Sequence, residues 1–472
     1  MDGRRSYRIA LVVDHPMRDL HGLVLLAHLL AQRGHEAVLM PFYAQSFDLA
    51  LVRPDLLVLN YARPANLGLI RHAQALGVRL AVLDTEGGLL PEDGPTSAEG
   101  QANFLKTSGL DRMLDLYMFW GSDLRDRIAA ATALAPARTV VTGCPRFDLA
   151  HRPWAQNGQN RDAVLINTNF PIINAAHAKG TAVDHAAMRA VGFTDERIAD
   201  LAAMIERIMR GMIATVTALA QARPAQRFVL RPHPFERAAP YVEAFASLPN
   251  VTVEQEGNVL DALAQARCLL HVNCTTAIEA AACGVPPISL DFVNEPEMLR
   301  MAALPTQVSH RAASLEQALE MIDNAGTLSL PEQSGLVEPQ FGPADGQAAM
   351  RAADAILATL ARPSDAVAGA PNSPAGKRML SMAGRMLGSA TIERLRQAHR
   401  PARRSKAFGI VEVAATLQRF AAAQNVTPAR VRRLRTRRGL PLLSLSITGE
   451  RARVATPPAS TYRPAPATQG TL

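Results

Sequence analysis

Short apolar runs, each followed by a polar or glycine-containing turn and then a helical stretch, recur through roughly the first 360 residues of the chain. Tyr7–Val13, His35–Met40, Leu56–Leu59, Val78–Leu83 and Leu114–Trp120 predict strands, because near-continuous apolar runs of this length suit strands buried on both faces. Leu20–Gln32 and Ala65–Leu76 predict helices, closed by Gly34 and Gly77, where a left-handed residue ends the helix. Gly121-Ser122-Asp123 starts another that runs to about Leu134, and Thr139–Thr142 leads into Gly143-Cys-Pro-Arg146-Phe-Asp148. The rhythm stalls at 151–160 (HRPWAQNGQN), which is polar with proline and glycine and reads as an interdomain linker. It resumes with strands at Ala163–Ile166, Arg227–Leu230, Val251–Val253 and Cys268–Val272. The helices of this half are Asp195–Ala222, Asn258–Gln265, Ala277–Cys283, Leu315–Ile322 and Asp345–Leu360.

This alternation predicts two doubly wound, Rossmann-like α/β domains facing a cleft, at 1–150 and 161–361. Ligands in such sheets sit at the carboxyl ends of the strands. Residues 362–472 form a basic extension: a linker at 362–374, helical pieces at Thr391–Gln397 and Val411–Ala423, and a run Arg430–Arg438. Its end, Thr456–Leu472, is rich in proline, alanine and threonine and is expected to be disordered.

Charge sharpens the division. The 472 residues carry a formal +8, but from Pro371 onward 19 Lys/Arg face three acids, a net of +16, which leaves −8 on residues 1–370. An acidic body carries a basic tail. The tail admits attraction to the anionic inner membrane leaflet, nucleic-acid binding, or a solvated charge run. Membrane attraction ranks first, although no orthodox amphipathic anchor stands out, and Thr427–Arg438 makes only a fragment of a helix-turn-helix. No apolar run approaches the ~20 residues of a membrane span, and the first residues lack the pattern of a signal peptide, so a cytoplasmic protein, peripheral at the inner membrane, is expected. The four cysteines make no Cys-x-x-Cys spacing, and neither histidines nor carboxylates form a metal signature; no metal or cofactor is expected.

The candidate chemistry lies at strand ends. Arg231-Pro-His233-Pro follows the Arg227–Leu230 strand, and its prolines forbid helix or further pairing, so two cationic or protonatable side chains are presented at a strand end. Asn273-Cys-Thr275-Thr276 follows the Cys268–Val272 strand and opens a small-residue helix whose N-terminus favours phosphate. Glu279 lies one helical turn after Thr275 on the same face. On the opposite side, Asp14, Arg18 and Asp19 follow the first strand, while Asp84 and Glu86 precede Gly87-Gly88, a pair lacking side chains where a substrate would come close.

The strings D-x3-RD-L (Asp14–Leu20), DTEGG (Asp84–Gly88), FWGS (Phe119–Ser122), TGCPRFD (Thr142–Asp148), RPHPFE (Arg231–Glu236) and NCTTAIEAAACGVPPI (Asn273–Ile288) resemble those of bacterial surface-carbohydrate biosynthesis proteins. That group is related to the capsule and lipopolysaccharide glycosyltransferases of the GT-B type, including those that transfer Kdo. The likeness spans about residues 7–360. It implies a nucleotide-sugar donor as substrate and a lipid-linked or polysaccharide acceptor. Arg231 and His233 would then stabilise the leaving group, with Thr275 and Thr276 on phosphate, Glu279 on ribose hydroxyls, and Asn273 and Arg146 at the substrate. Glu86 would take the acceptor proton, with Asp84 and then Asp14 as runners-up and Arg18 and Asp19 as acceptor-side contacts. Arg146 and Asp148 are equally open to a hinge salt bridge. The alternatives are a nucleotide-sugar epimerase of the same fold and a nucleic-acid-binding protein acting through the tail.

Overall fold

The computed structural model describes residues 5–449 apart from 89–96, 152–160, 177–184, 187, 190–192, 302, 330–334, 336, 344 and 364–372. The expected linker at 151–160, except its first residue, residues 364–372 of the linker expected at 362–374, and the chain end from 450 lie outside the described residues.

The first domain is built on β1 (Arg8–Val13), β2 (Glu36–Pro41), β3 (Leu56–Leu59), β4 (Arg79–Leu83), β5 (Leu116–Phe119) and β6 (Thr139–Val141), parallel in the order β2-β1-β3-β4-β5-β6. Both faces of the sheet are covered. Ile9, Leu11 and Val13 of β1 pack with Leu23 and Leu26 of the helix His21–Gln32, while Ala10 and Val12 share the opposite core with Leu69 and Ile70. This double burial is why these strands read as continuous apolar runs rather than alternating ones.

The second domain contains β7 (Ala163–Asn167), β8 (Phe228–Arg231), β9 (Val251–Val253), β10 (Ala266–His271), β11 (Pro287–Leu290) and β12 (His310–Ala312), all parallel in the order β9-β8-β7-β10-β11-β12. The chain winds outward from β7 in one direction and then in the other, so a topological switch point falls between β7 and β10. Asp195–Ala222 covers one face through Leu201, Ile205, Ile208, Met212 and Leu219, at helical spacing. Thr194 caps it, its hydroxyl accepting the Arg197 N–H at 3.2 Å. The fold is thus two Rossmann-like domains in a GT-B-like arrangement.

Two helices in the first domain, Gln45–Val52 and Ala98–Ser108, go beyond what the sequence predicts. The Ala348–Ala361 helix, expected within the second domain, packs Ala349, Ala352, Ala353 and Ile356 into the first domain's core. Asp148 fixes its start: one carboxylate oxygen accepts the Ala348 N–H at 2.9 Å and the other the Ala349 N–H at 2.7 Å. The GCPRFD aspartate is therefore a helix cap and not half of a hinge salt bridge with Arg146.

The basic extension folds back onto the first domain. Helices Ala375–Leu387, Ser389–His399 and Ile410–Gln424 are followed by a hairpin, β13 (Arg430–Arg435) and β14 (Pro441–Thr448), and β14 pairs antiparallel with β2. The basic run, which makes at most a fragment of a helix-turn-helix in sequence, forms the outermost strand of an eight-stranded sheet. Buried polar bonds fasten β14: Ser444 Oγ donates to Asp48 at 2.6 Å and Ser446 Oγ to Glu36 at 2.6 Å. Among the described residues, no helix is long and apolar enough to cross a membrane.

Candidate functional site

The carboxyl ends of the two sheets face each other across a cleft of about 180 Å³. The second domain lines it with Asn167–Asn169 after β7 and Cys274–Thr276 after β10, which is the switch point, and with His233 after β8. Arg18 and Arg146 line it from the first domain.

On the second-domain side the loop after β8 is held from within. Glu236, 1% exposed, accepts from Thr168 Oγ1 at 2.9 Å, Phe170 N at 2.7 Å, His233 N at 3.3 Å and the Tyr241 hydroxyl. Those four donors fix the RPHPFE loop and fill one carboxylate, so Glu236 is a scaffold residue. Arg231 is spent in the same way: its guanidinium donates to the carbonyls of Glu256 and Gly257 at 2.8 and 2.9 Å. The expected phosphate-neutralising arginine is tethering the next loop.

His233, unlike Arg231, is neutral. Burial, reinforced by the nearby Arg18, lowers its pKa to about 4. Its Nδ1 accepts the Phe235 N–H at 3.3 Å, which in the neutral ring leaves the proton on Nε2. His233, which lines the cleft with Arg231, thus offers a neutral N–H donor.

At the switch point, Asn273 adopts a positive φ of 53° and turns its side chain away from the cleft; its Nδ2 donates to the Met298 carbonyl and its Oδ1 accepts Thr306 Oγ1 at 3.1 Å. It shapes the turn instead of meeting substrate. Thr275 is exposed at the start of the Thr276–Ala282 helix, and its side chain makes no cap bond. Thr276 is buried and accepts Asn167 Nδ2 at 3.0 Å, while Asn167 Oδ1 is buried with no partner among the described residues. Glu279 is also buried, and burial pushes its carboxyl up against the pull of Arg146, whose Nε lies 3.3 Å from Oε1. Arg146 also stacks over Trp120 and Phe147. The pair ties one lip of the cleft to the other, as does the 3.1 Å contact between His21 and Asn258.

The first-domain candidates converge as expected. Arg18, on a single π turn at Pro16–Leu20, reaches Asp14 at 2.8 Å, Asp19 at 2.8 Å and Glu86 at 2.9 Å. Burial opposes the charge on Arg18, but the three carboxylates outweigh it and raise its pKa. Glu86 is shared with Arg63, 2.8 Å away, and its side chain is 50% exposed. Burial pushes the Glu86 carboxyl up, yet Arg63 and Arg18 prevail and hold it below the usual range. Asp84 is buried under it: Oδ1 accepts the Glu86 N–H at 2.8 Å, and Oδ2 has no partner among the described residues. Burial pushes its pKa up to about 6.

Three residues of this cluster were not among the sequence candidates. Arg63 sits in the loop after β3, where nothing in its neighbours marks it. Lys406, from the basic extension, lies 2.8 Å from Asp14. His15 is buried, with Nε2 unpartnered among the described residues, and packs edge-on to Phe235 of the second domain at 5.3 Å; burial and then Lys406 lower its pKa to about 4. The Asp14-His15-Pro16 order was the available signal for His15.

Gly87-Gly88 has a different reason from the one expected. A Cβ on Gly88 would lie 2.5 Å from Trp120 Cε3 and 2.6 Å from Phe341 Cε1. Gly88 makes room for aromatic packing. Among the described residues no group of histidines, cysteines and carboxylates is arranged to hold a metal ion.

No protein-family model matches the chain, and no curated protein matches it. Solved structures of similar layout include a putative UDP-N-acetylglucosamine 2-epimerase from Listeria monocytogenes, 13% identical, with a TM-score of 0.47 over 76% of this chain and 98% of that one. The UDP-GlcNAc 2-epimerase from Neisseria meningitidis bound to UDP-GlcNAc is 13% identical, with a TM-score of 0.46 over 74% of this chain and 100% of that one. The wall teichoic acid polymerase TagF is 10% identical, with a TM-score of 0.44 over 75% of this chain and 88% of that one. At these identities and scores the likenesses say nothing about reaction or ligand.

Proposed function

We propose that the protein is a nucleotide-sugar-dependent glycosyltransferase of surface polysaccharide or lipopolysaccharide assembly, working without a metal ion. The observation that carries this reading is the cleft at the switch point between β7 and β10, where Thr275, Thr276 and His233 gather hydrogen-bond donors opposite a carboxylate–arginine cluster.

In this reading the donor's phosphate meets the Thr275 hydroxyl, the start of the Thr276–Ala282 helix and the Nε2–H of His233. Donors held rigidly by the Glu236 network stabilise the leaving group as its charge grows, with no reorganisation at the moment of bond breaking. Glu279 takes the ribose hydroxyls. The acceptor enters from the first domain, and Glu86 is the base. Its lowered pKa makes it a weak one while Arg18 and Arg63 hold it. An acceptor carrying its own phosphate or carboxylate would draw those arginines away and free Glu86 as it docks, which suits a lipid-linked or acidic polysaccharide acceptor.

Titration calorimetry with CMP-, UDP- and GDP-sugars, followed by transfer assays, tests the proposal. Binding of one nucleotide class is expected, with sugar transfer only when acceptor is present. Epimerised donor formed without acceptor would assign the cleft to an isomerase instead. Absence of binding by every donor would reject both.

A further inference from the structure

We infer that the Ala375–Leu387 helix is a docking surface for an anionic lipid bilayer, so that the protein works with this face of the first domain against a membrane. The helix lies on the protein with its apolar side outward. Its inner side is made of small and polar groups: Gly384 lets the helix approach within 3.1 Å of Phe47, measured from an added Cβ, Ser381 is buried on the Ser46 carbonyl, and Lys377 donates to Ser46 Oγ at 2.7 Å. The outer side carries Met379, Met382 and Met386, spaced three and four residues apart and 67%, 59% and 57% exposed. Leu387 and, from the next helix, Leu395 extend the apolar strip, both more than half exposed.

A soluble face does not ordinarily concentrate such residues, and scattered single exposures would need no explanation. The choice of occupant comes from charge. Between Ala375 and Lys406 the chain has nine lysines and arginines against one acid, Glu393. That acid is buried and closed by Arg403, at 2.6 and 2.7 Å. Arg378, Arg385, Arg394, Arg400 and Arg404 stay exposed and make no ion pair among the described residues. An apolar strip set within unpaired arginines matches the depth profile of a bilayer surface, with side chains entering below the headgroups and guanidiniums at the level of lipid phosphate. Methionine suits this role, being flexible and able to fill irregular acyl packing. The same extension carries Lys406 to Asp14, so the docked face adjoins the acceptor side of the cleft. The inference stands apart from the reaction proposed above, because lipid binding requires neither donor nor acceptor.

The experiment is sedimentation of the full chain with vesicles of phosphatidylcholine, alone or with about one-third phosphatidylglycerol. Binding is expected only to the anionic vesicles, and it should weaken as salt rises from ~0.1 to ~0.5 M. The Met379→Ser, Met382→Ser, Met386→Ser triple variant, whose altered side chains are all exposed, should bind at least ~10-fold more weakly with an unchanged melting temperature. Arg378→Gln with Arg385→Gln keeps the apolar strip and should lose ~5-fold per arginine. Equal binding to neutral vesicles, or wild-type binding by the triple variant, overturns the inference. So does a wild-type dimer that the triple variant splits into monomers, or RNA binding that the vesicles do not compete away.

Discussion

The ammonium of Lys406 lies 2.8 Å from the Oδ1 of Asp14, joining positions 392 apart in the chain at the carboxyl end of β1. The basic extension is therefore part of the Asp14–Arg18–Glu86 cluster and not only an attachment to the first domain. Removing residues 371–472 would strip β13 and β14 from β2, uncover Phe47 and take from Asp48 its Ser444 partner. Such a truncation is expected to be insoluble or to melt more than ~10 °C lower, given ~2–4 °C per kcal/mol for a domain of this size. A soluble truncation with the parental melting temperature would show the extension to be dispensable. Ser444→Ala is a gentler probe; it should cost about 1–3 kcal/mol by urea denaturation, because Asp48 loses a buried donor.

Glu86→Gln keeps the shape of the acceptor-side cluster but cannot take a proton. Transfer should fall at least ~100-fold in kcat, while donor affinity by calorimetry stays within about threefold. Full activity in the variant would remove Glu86 from the role of base and turn attention to His15, the neutral ring beside Asp14.

Burial leaves a pH signature. His15, His233 and His271 are pulled from 6.5 to about 4, so between those values the unfolded chain binds protons that the folded protein refuses. The stability these neutral rings carry is complete above about 6.5 and is lost as pH falls toward 4. Asp84 and Asp148, pushed up to about 6, work in the opposite sense: between 6 and 3.8 the folded protein holds two protons that the unfolded chain releases. Taken together, these five groups make stability fall most steeply near pH 6 and flatten toward pH 4. Urea midpoints measured across that range check this, and Asp84→Asn should steepen the lower half. A midpoint that does not change around pH 6 would contradict the burial of the three rings.

Gly88→Ala is a packing test. The new methyl meets Trp120 and Phe341 well inside contact distance, and both rings belong to one cluster with Phe147. A loss of about 1–3 kcal/mol is expected from denaturant unfolding. If the variant is as stable as the parent but has lost acceptor binding, the glycine serves the substrate after all.

The parallel strands were legible because burial on both faces writes them as unbroken apolar runs; Arg8–Val13 and Arg79–Leu83 fall within a residue of where the pattern puts them. Convergence of Asp14, Arg18, Asp19 and Glu86 was legible too, since all follow strands of one sheet. The roles of Arg231 and Asn273 were not, because polar residues at a strand end look the same whether they bind a ligand or a neighbouring carbonyl. The hairpin was hidden for a related reason. Arg430–Arg435 is an edge strand, and an edge protected by arginines reads as a charge run.

The pairing of β14 with β2 has a consequence for how the chain is made. Roughly 400 residues separate the two strands, which at ~5–20 residues per second is about 20–80 s of synthesis. The second domain, continuous from β7 to β12, emerges whole in the meantime. The amino-terminal domain thus begins to fold first and finishes last, with the open edge of β2 waiting at the ribosome for a strand still to be translated.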